Sequence, residues 1–482
     1  MYLEQITEPE LEFAKDRFDC PRIGIASFDV FDSKFELRRD KINIGAVGTD
    51  KGLEKLKTWL ERCREPIAAR ADTLQRNLYP AFPGFHRESG FKAEMIISSE
   101  GFKSIPSGEL TKIIKEATSH QSRVKGALDS YLRRIEFLAR NKRTVDVIIC
   151  VLPDDLYDAI AKDSGGDDEE LENEDITEHE DAPQDIEFNF RRALKAESLR
   201  LEKPLQLVRE QSLTNQAPQD AATRAWNFCT AIYYKTNQTV PWKLVTDPNE
   251  PRVCYVGIGF FRSRGREVIH TSLAQVFDEL GNNVILRGGQ AYKDKTDRRP
   301  HLTREQSEIL LGRAIDDYIL TNETQPARLV IHKTSLYTEG EREGFISACT
   351  SRNIGRVDLI TFLDTADRAF RTGLYPPSRG THISYDEKSH LLYTRGSVPF
   401  YRTYTGLYIP QPLEIRIDMA DSSEQKICRE ALGLTKMNWN TTRFDGKYPI
   451  TLLCARRVGE IMKYLPQDYE PKPAIINYGY YM

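Results

Sequence analysis

Cys254-Tyr255-Val256-Gly257-Ile258-Gly259-Phe260-Phe261 is an apolar run of β-branched and aromatic residues, the composition of a strand. Working outward, Glu267 to Phe277 and Val284-Ile285-Leu286-Arg287 read as two more strands, the first lying beside Cys254–Phe261. Thr303 to Thr321 then has helical periodicity, and Thr303 followed three residues later by Gln306 is a capping box. Arg328-Leu329-Val330-Ile331-His332 is the next strand and Glu339 to Cys349 the next helix. Strands followed by helix, strand and helix put this half of the chain in the α/β class. Periodicity alone goes no further.

Upstream, Val145-Asp146-Val147-Ile148-Ile149-Cys150-Val151-Leu152-Pro153 is a nearly continuous β-branched run closed by proline, the pattern of a strand buried on both faces. Around it lie helical patterns from Leu110 to Thr118, Val124 to Asn141, Phe190 to Leu201 and Ala221 to Tyr234, and a short strand at Leu205-Gln206-Leu207-Val208. Such alternation argues for a doubly wound layer. In the first hundred residues, Ile23-Gly24-Ile25-Ala26-Ser27-Phe28 and Ile42 to Gly48 read as strands, and Gly52 to Leu60 as an amphipathic helix with Leu53, Leu56 and Leu60 on one face. Phe82-Pro83-Gly84-Phe85 marks a turn. Three units follow: residues 1–105, 106–245 and 246–482.

The chain has 482 residues with a formal net charge of −4. That average conceals an asymmetry. Thirteen acids and no Lys or Arg lie in residues 163–187, which leaves 59 acids against 68 basic residues elsewhere, a net of +9. The acidic stretch reads as a self-repelling, mobile insertion. A basic body with one acidic loop suits a protein that binds polyanions, although a solvated surface produces the same balance. No segment approaches the roughly 20 apolar residues that span a bilayer. The eight cysteines are scattered without a C-x-x-C pair, so buried reduced thiols and a cytoplasmic location are expected.

Few motifs carry chemistry alone. Gly257-Ile258-Gly259 lacks the third glycine of a dinucleotide loop, since position 262 is Arg, and no P-loop, H-E-x-x-H or G-x-S-x-G occurs. His332-Lys333-Thr334-Ser335 closes an apolar strand, where polar residues often face a ligand crevice. Arg191 and Lys195 lie four apart on one helix face beside Arg192, with Gln206 and Lys235 on the next strand and helix. Like charges at that spacing repel, and an anion between them reverses the sign. On their own these cations read by default as a solvated basic face.

Taken in order, the segments resemble a short prokaryotic Argonaute. Lys203 to Leu213, Ala231-Ile232-Tyr233-Tyr234-Lys235 and Pro241-Trp242-Lys243-Leu244 look like its MID domain. Cys254 to Ile258, Leu329-Val330-Ile331-His332-Lys333 and Leu434-Thr435-Lys436-Met437-Asn438-Trp439-Asn440 look like its PIWI domain. Gly48-Thr49-Asp50-Lys51-Gly52-Leu53 and Phe82 to Phe85 resemble its opening. The resemblance implies an α/β architecture: a mixed N-terminal segment (1–105), a Rossmann-like MID domain (106–245) and an RNase H-like PIWI domain (246–482). It implies that Arg191, Lys195, Gln206 and Lys235 bind the 5′-phosphate of a guide. Arg191 departs from the tyrosine usual there. A divalent metal, Mg2+, would be held at that phosphate by Gln206 and the Met482 carboxylate.

The resemblance also implies that the nuclease centre is lost. Slicing members hold two metals on carboxylates at strand ends, and this chain has Gly259, Lys333 and Thr334 there, with only Asp445 near the last ligand. The expected function is recognition of single-stranded target DNA from a plasmid or phage through a guide RNA, without cutting. An APAZ-containing TIR or sirtuin-like effector would deplete NAD, and a higher oligomer would form on target binding. Arg262, Arg264, Arg266, Arg298, Arg299 and Lys333 are candidates to line the nucleic-acid channel. Two other readings stay open: a nuclease with a rearranged site using Asp294, Asp297, Asp358, Asp364 and Asp445, and a guide-free interaction scaffold.

Overall fold

The computed structural model describes residues 1–36, 38–140, 145–161, 189–215, 217–237, 239–246, 249–250, 252–262, 268–276, 283–293, 299–373, 376–404, 406, 409–466 and 477–482. The acidic stretch 163–187 lies outside them. Elements of the first half are β1 (Tyr2–Gln5), α1 (Pro21–Phe28), β2 (Lys41–Gly48), α2 (Asp50–Arg64), β3 (Glu94–Ser104), α3 (Ser107–Glu116), α4 (His120–Arg140), β4 (Val147–Leu152), α5 (Asp154–Ala161), α6 (Phe190–Ser198), β5 (Leu205–Arg209) and α7 (Ala221–Thr236). The second half continues with β6 (Val253–Arg262), β7 (Ile269–Val276), β8 (Asn283–Lys293), β9 (Pro300–His301), α8 (Arg304–Asn322), β10 (Arg328–Lys333), α9 (Glu339–Thr350), β11 (Val357–Asp364), β12 (Thr381–Ser384), β13 (Ser389–Leu392), β14 (Leu413–Met419), α10 (Glu424–Leu434) and α11 (Ile450–Met462).

The first sheet is parallel, in the order β3-β2-β4-β5. All six residues of β4 are buried, as its unbroken apolar run requires. Val147, Ile149 and Val151 pack towards α2 and α7, against Leu56, Leu60, Trp226 and Ile232. Ile148, Cys150 and Leu152 pack towards α4 and α6, against Leu128, Ile135 and Leu194. Helices therefore cover both faces, and each fully buried aliphatic side chain contributes about 1.5–3 kcal/mol. This sheet runs across the division at 105/106: β2 and β3 share it with β4 and β5.

The second sheet has ten strands in the order β1-β12-β13-β14-β11-β10-β6-β7-β8-β9. Only its centre is parallel, where β10 pairs with β6 and β11. Cys254, Val256 and Ile258 of β6, with Leu329 and Ile331 of β10, face α8 and α9. The opposite face carries α11. A side-chain carbon at Gly257 would lie 2.3 Å from the Thr451 carbonyl oxygen, so glycine is what lets α11 come this close.

One reading of the first residues changes. Ile23 to Phe28 is not a strand but most of helix α1, started by Pro21 in its first turn. Its Gly24 lies under the Phe13 ring, where a side-chain carbon would sit 2.0 Å from that ring. The extreme N-terminus joins the far sheet instead: Tyr2 is opposite Ser384 and Gln5 opposite Thr381. Glu8 secures that crossing, 3.0 Å from the buried Arg379 and 3.1 Å from the buried Lys436.

Candidate nucleic-acid interface

Helix α6 begins at Asn189, whose side chain accepts from the Arg192 amide. Its Lys195 is only 4% exposed, and α7 brings in Lys235 at 7%. Lysines this buried are held by acceptors. The Lys195 ammonium points at the Tyr481 carbonyl oxygen, 3.5 Å away. The Lys235 ammonium donates to the Leu205 carbonyl at 3.1 Å and to the Gln206 side-chain oxygen at 2.5 Å. The segment carrying Tyr481 is a short 3-10 turn, Tyr478–Tyr480, capped by Asn477 and ending in the buried Tyr481 and Met482. Gly479 lies against Lys235: a side-chain carbon there would be 3.4 Å from the Lys235 Cα. Lys195, Gln206, Lys235 and residues 478–482 thus meet in one place. Arg191 is one helical turn before Lys195 on the same face, partly exposed.

The pocket lies at the seam between the two sheets. Arg192 pairs with Glu460 of α11, and Lys463 reaches the same carboxylate at 2.5 Å. Burial pushes the Glu460 carboxyl up, but the Lys463 and Arg192 cations hold it below the ordinary carboxylate range. The Asn189 amide also donates to the Tyr464 hydroxyl at 3.1 Å. The cation-bearing helix is therefore anchored to the second half of the molecule.

The strand ends show a second arrangement. His332 is in register with Gly257, and Thr334 follows just beyond the end of β10. Alternation along β6 puts Gly259 on the same α11 face as Gly257. His332 shares it: its ring nitrogen lies 2.8 Å from the Thr451 hydroxyl, and burial, with the Arg328 charge, pushes it down to about 3. Lys333 points the other way and is 0% exposed, so it does not line a channel. Its ammonium lies 2.5 Å from the Glu341 carboxylate and 3.4 Å from the His301 ring. Burial works to raise Glu341, but its bond to His301 and the Lys333 charge bring it down to about 2.

Of the acids of the alternative nuclease reading, Asp358 and Asp364 have cationic or hydroxyl partners. Asp358 is buried against Arg328. Asp364 accepts from the Tyr448 hydroxyl at 2.7 Å and lies 2.8 Å from the Lys447 ammonium. Asp445 is buried two residues before Lys447, and Asp294 and Asp297 fall outside the described residues, as do Arg264, Arg266 and Arg298. Among the described residues, no group of three or more His, Cys, Asp or Glu side chains is arranged to hold a metal ion. Arg262 and Arg299 are partly exposed. Also among the described residues, no helix is long and apolar enough to cross a membrane.

No protein-family model and no curated protein matches the sequence. Solved structures do. Clostridium butyricum Argonaute, bound to a guide DNA (5′ deoxycytidine) and a 19-mer target DNA, superimposes with a TM-score of 0.64 at 14% identity, over 97% of this chain and 54% of that one. The fold is Argonaute-like. Drosophila Piwi superimposes with a TM-score of 0.61 at 12% identity, over 100% of this chain and 56% of that one. The chain spans about half the length of each. Its parallel sheet and the mixed ten-stranded sheet correspond to a MID–PIWI α/β arrangement.

Within this Argonaute-like fold, the partners of the predicted residues were not all readable. Thr338 with Glu341 three residues later is a capping box, and that signature would have placed Glu341 at the start of α9, next to the end of β10. The tie from Arg192 to Glu460 has no local signal, because 268 positions separate the two residues.

Proposed function

We propose that the protein holds a short nucleic-acid guide by its 5′-phosphate and uses it to recognise a complementary strand without cutting it. The observation that carries this reading is the meeting of Lys195, Gln206 and Lys235 with residues 478–482 in an Argonaute-like fold. A phosphate entering there would find ammonium groups already oriented, each capable of a charge-assisted hydrogen bond. Arg191 at the rim supplies a planar guanidinium for phosphate or for a stacked first base. Sequence would be read by base pairing, with the protein gripping backbone and helical shape.

Oxygen donors suit a hard divalent cation. Gln206, whose side-chain oxygen accepts from Lys235, and Met482 would hold Mg2+ at the phosphate, where it would neutralise charge that the two lysines leave over. Lys195 and Lys235 orient the anion without it.

The lack of cutting is supported by Gly259 on β6 and Thr334 just after β10, since neither can ligate a metal as a carboxylate does. Lys333 is spent on Glu341. The guide is RNA and the target single-stranded DNA of a plasmid or phage in this reading. An APAZ-containing effector of TIR or sirtuin-like type carries the enzymatic step, NAD depletion, in the cytoplasm, with a higher oligomer forming on target binding. The test is the nucleic acid that comes with the protein from cells. Short 5′-phosphorylated RNA is expected, and protein free of any such species contradicts guide binding.

A further inference from the structure

Phe31, Asp32 and Arg39 hold α7 from behind, on the side opposite the pocket. Phe31–Lys34 is a 3-10 turn fixed by a bond from the Phe31 amide to the Pro241 carbonyl at 2.8 Å. Its Asp32 is fully buried. One carboxylate oxygen accepts from the Tyr233 hydroxyl at 2.5 Å, the other from the Thr239 hydroxyl at 2.7 Å. Tyr233 and Thr239 bracket the last turn of α7. Asn237 closes that turn: its side chain donates to the Tyr233 carbonyl at 2.9 Å and accepts from the Arg39 amide at 2.8 Å. Tyr233 and Lys235 are two residues apart, about 200° around the helix axis, so they leave it on opposite sides. Behind, Tyr233 packs among Phe85 and Phe91 and meets Asp32. In front, Lys235 meets Leu205 and Gln206.

We propose that Asp32 is a positioning residue for the phosphate pocket: it fixes Tyr233 and Thr239, and through them the helix turn from which Lys235 reaches Gln206. The inference rests on the guide-binding reading above. An acid is an expensive way to pack a core, because a buried carboxylate is disfavoured unless its acceptors are used. Burial raises Asp32 to about 6, against the bonds from Tyr233 and Thr239 and the Arg38 charge. An apolar side chain would fill the space but would leave the Tyr233 hydroxyl without its acceptor.

The experiment compares equilibrium binding of one short RNA with a 5′-phosphate and with a 5′-hydroxyl, for wild type, Lys235→Ala, Tyr233→Phe, Asp32→Ala and Asp32→Asn. The readout is the ratio of the two affinities, which a general loss of stability would not move. Tyr233→Phe and Asp32→Ala are expected to lower the ratio about tenfold with hydroxyl-RNA affinity unchanged. Asp32→Asn keeps an acceptor for Tyr233 and is expected to keep the ratio. Should Asp32→Ala fail to fold, Tyr233→Phe, nearly the same shape, still decides. If Lys235→Ala loses the ratio while Tyr233→Phe retains it, Asp32 only packs the core and the proposal is overturned. If wild type shows no preference for the phosphate, the pocket reading itself falls and takes the positioning role with it.

Discussion

Lys235 donates to the Gln206 side-chain oxygen at 2.5 Å. In this pair α7 supplies the cation and β5 the amide, and residues 478–482 pack beside them. Lys235→Ala is therefore expected to weaken binding of a 5′-phosphorylated guide about ten- to a hundredfold, the worth of one hydrogen bond to a charged group. Binding of a 5′-hydroxyl strand should hardly change. Fluorescence anisotropy with matched oligonucleotides checks both.

Lys333 and Glu341 should behave as a structural ion pair. Lys333→Met leaves the Glu341 carboxylate buried beside an apolar side chain, with an expected cost of about 3–5 kcal/mol. Lys333→Met combined with Glu341→Leu removes both charges and should recover part of that loss, the bonds of Glu341 to the Thr338 and Leu302 amides remaining lost. Urea denaturation of the single and double variants measures the coupling. An additive double variant would contradict it.

Two buried acids set opposite pH dependences. Glu341 is depressed from 4.5 to about 2, so its contribution is present above pH 4.5 and is lost as pH falls through about 2. Glu341→Gln should flatten that acid limb. Asp32 is raised from 3.8 to about 6, so its contribution is present below pH 3.8 and is lost as pH rises through about 6. Asp32→Asn should therefore stabilise the protein at pH 8 by roughly 2–3 kcal/mol, at about 1.4 kcal/mol per pKa unit, with little gain at pH 3.5. Denaturant midpoints across pH test both signs.

Affinity for a guide strand should fall steeply with salt, because neutralised phosphates release counterions. On a log–log plot, each lost phosphate contact reduces the slope by about 0.7 for single strands. Lys195→Ala should reduce it by about one such step. Lys333→Met, whose ammonium is buried on the far face of the sheet, should leave the slope unchanged.

What could be read in advance follows the range of the interactions. The Thr303–Gln306 capping box and the buried β4 strand depend on neighbours within a few positions, and both are present. Helix α1 was misread because Ile23 and Ile25 favour a strand, whereas Pro21 at its start and the close packing of Gly24 on Phe13 favour a helix. The pairing of Tyr2 with Ser384 has no local signal at all. The direction of Lys333 was within reach: it shares strand parity with Leu329 and Ile331, so it had to face the same helices. In the pocket, residue types and spacing alone read as a solvated basic face, and it is the resemblance that singles out Arg191, Lys195, Gln206 and Lys235. Their meeting depends on a chain reversal at 477–482, and their support by Asp32 comes from a segment some 200 residues away.

The most direct measurement mixes the protein with a 5′-phosphorylated guide RNA, a labelled complementary single-stranded DNA and Mg2+ or Mn2+, then reads retention and product length together. The account predicts target retention that requires the guide and intact full-length DNA after prolonged incubation. Guide-dependent cleavage fragments, or retention indifferent to the guide, would contradict it.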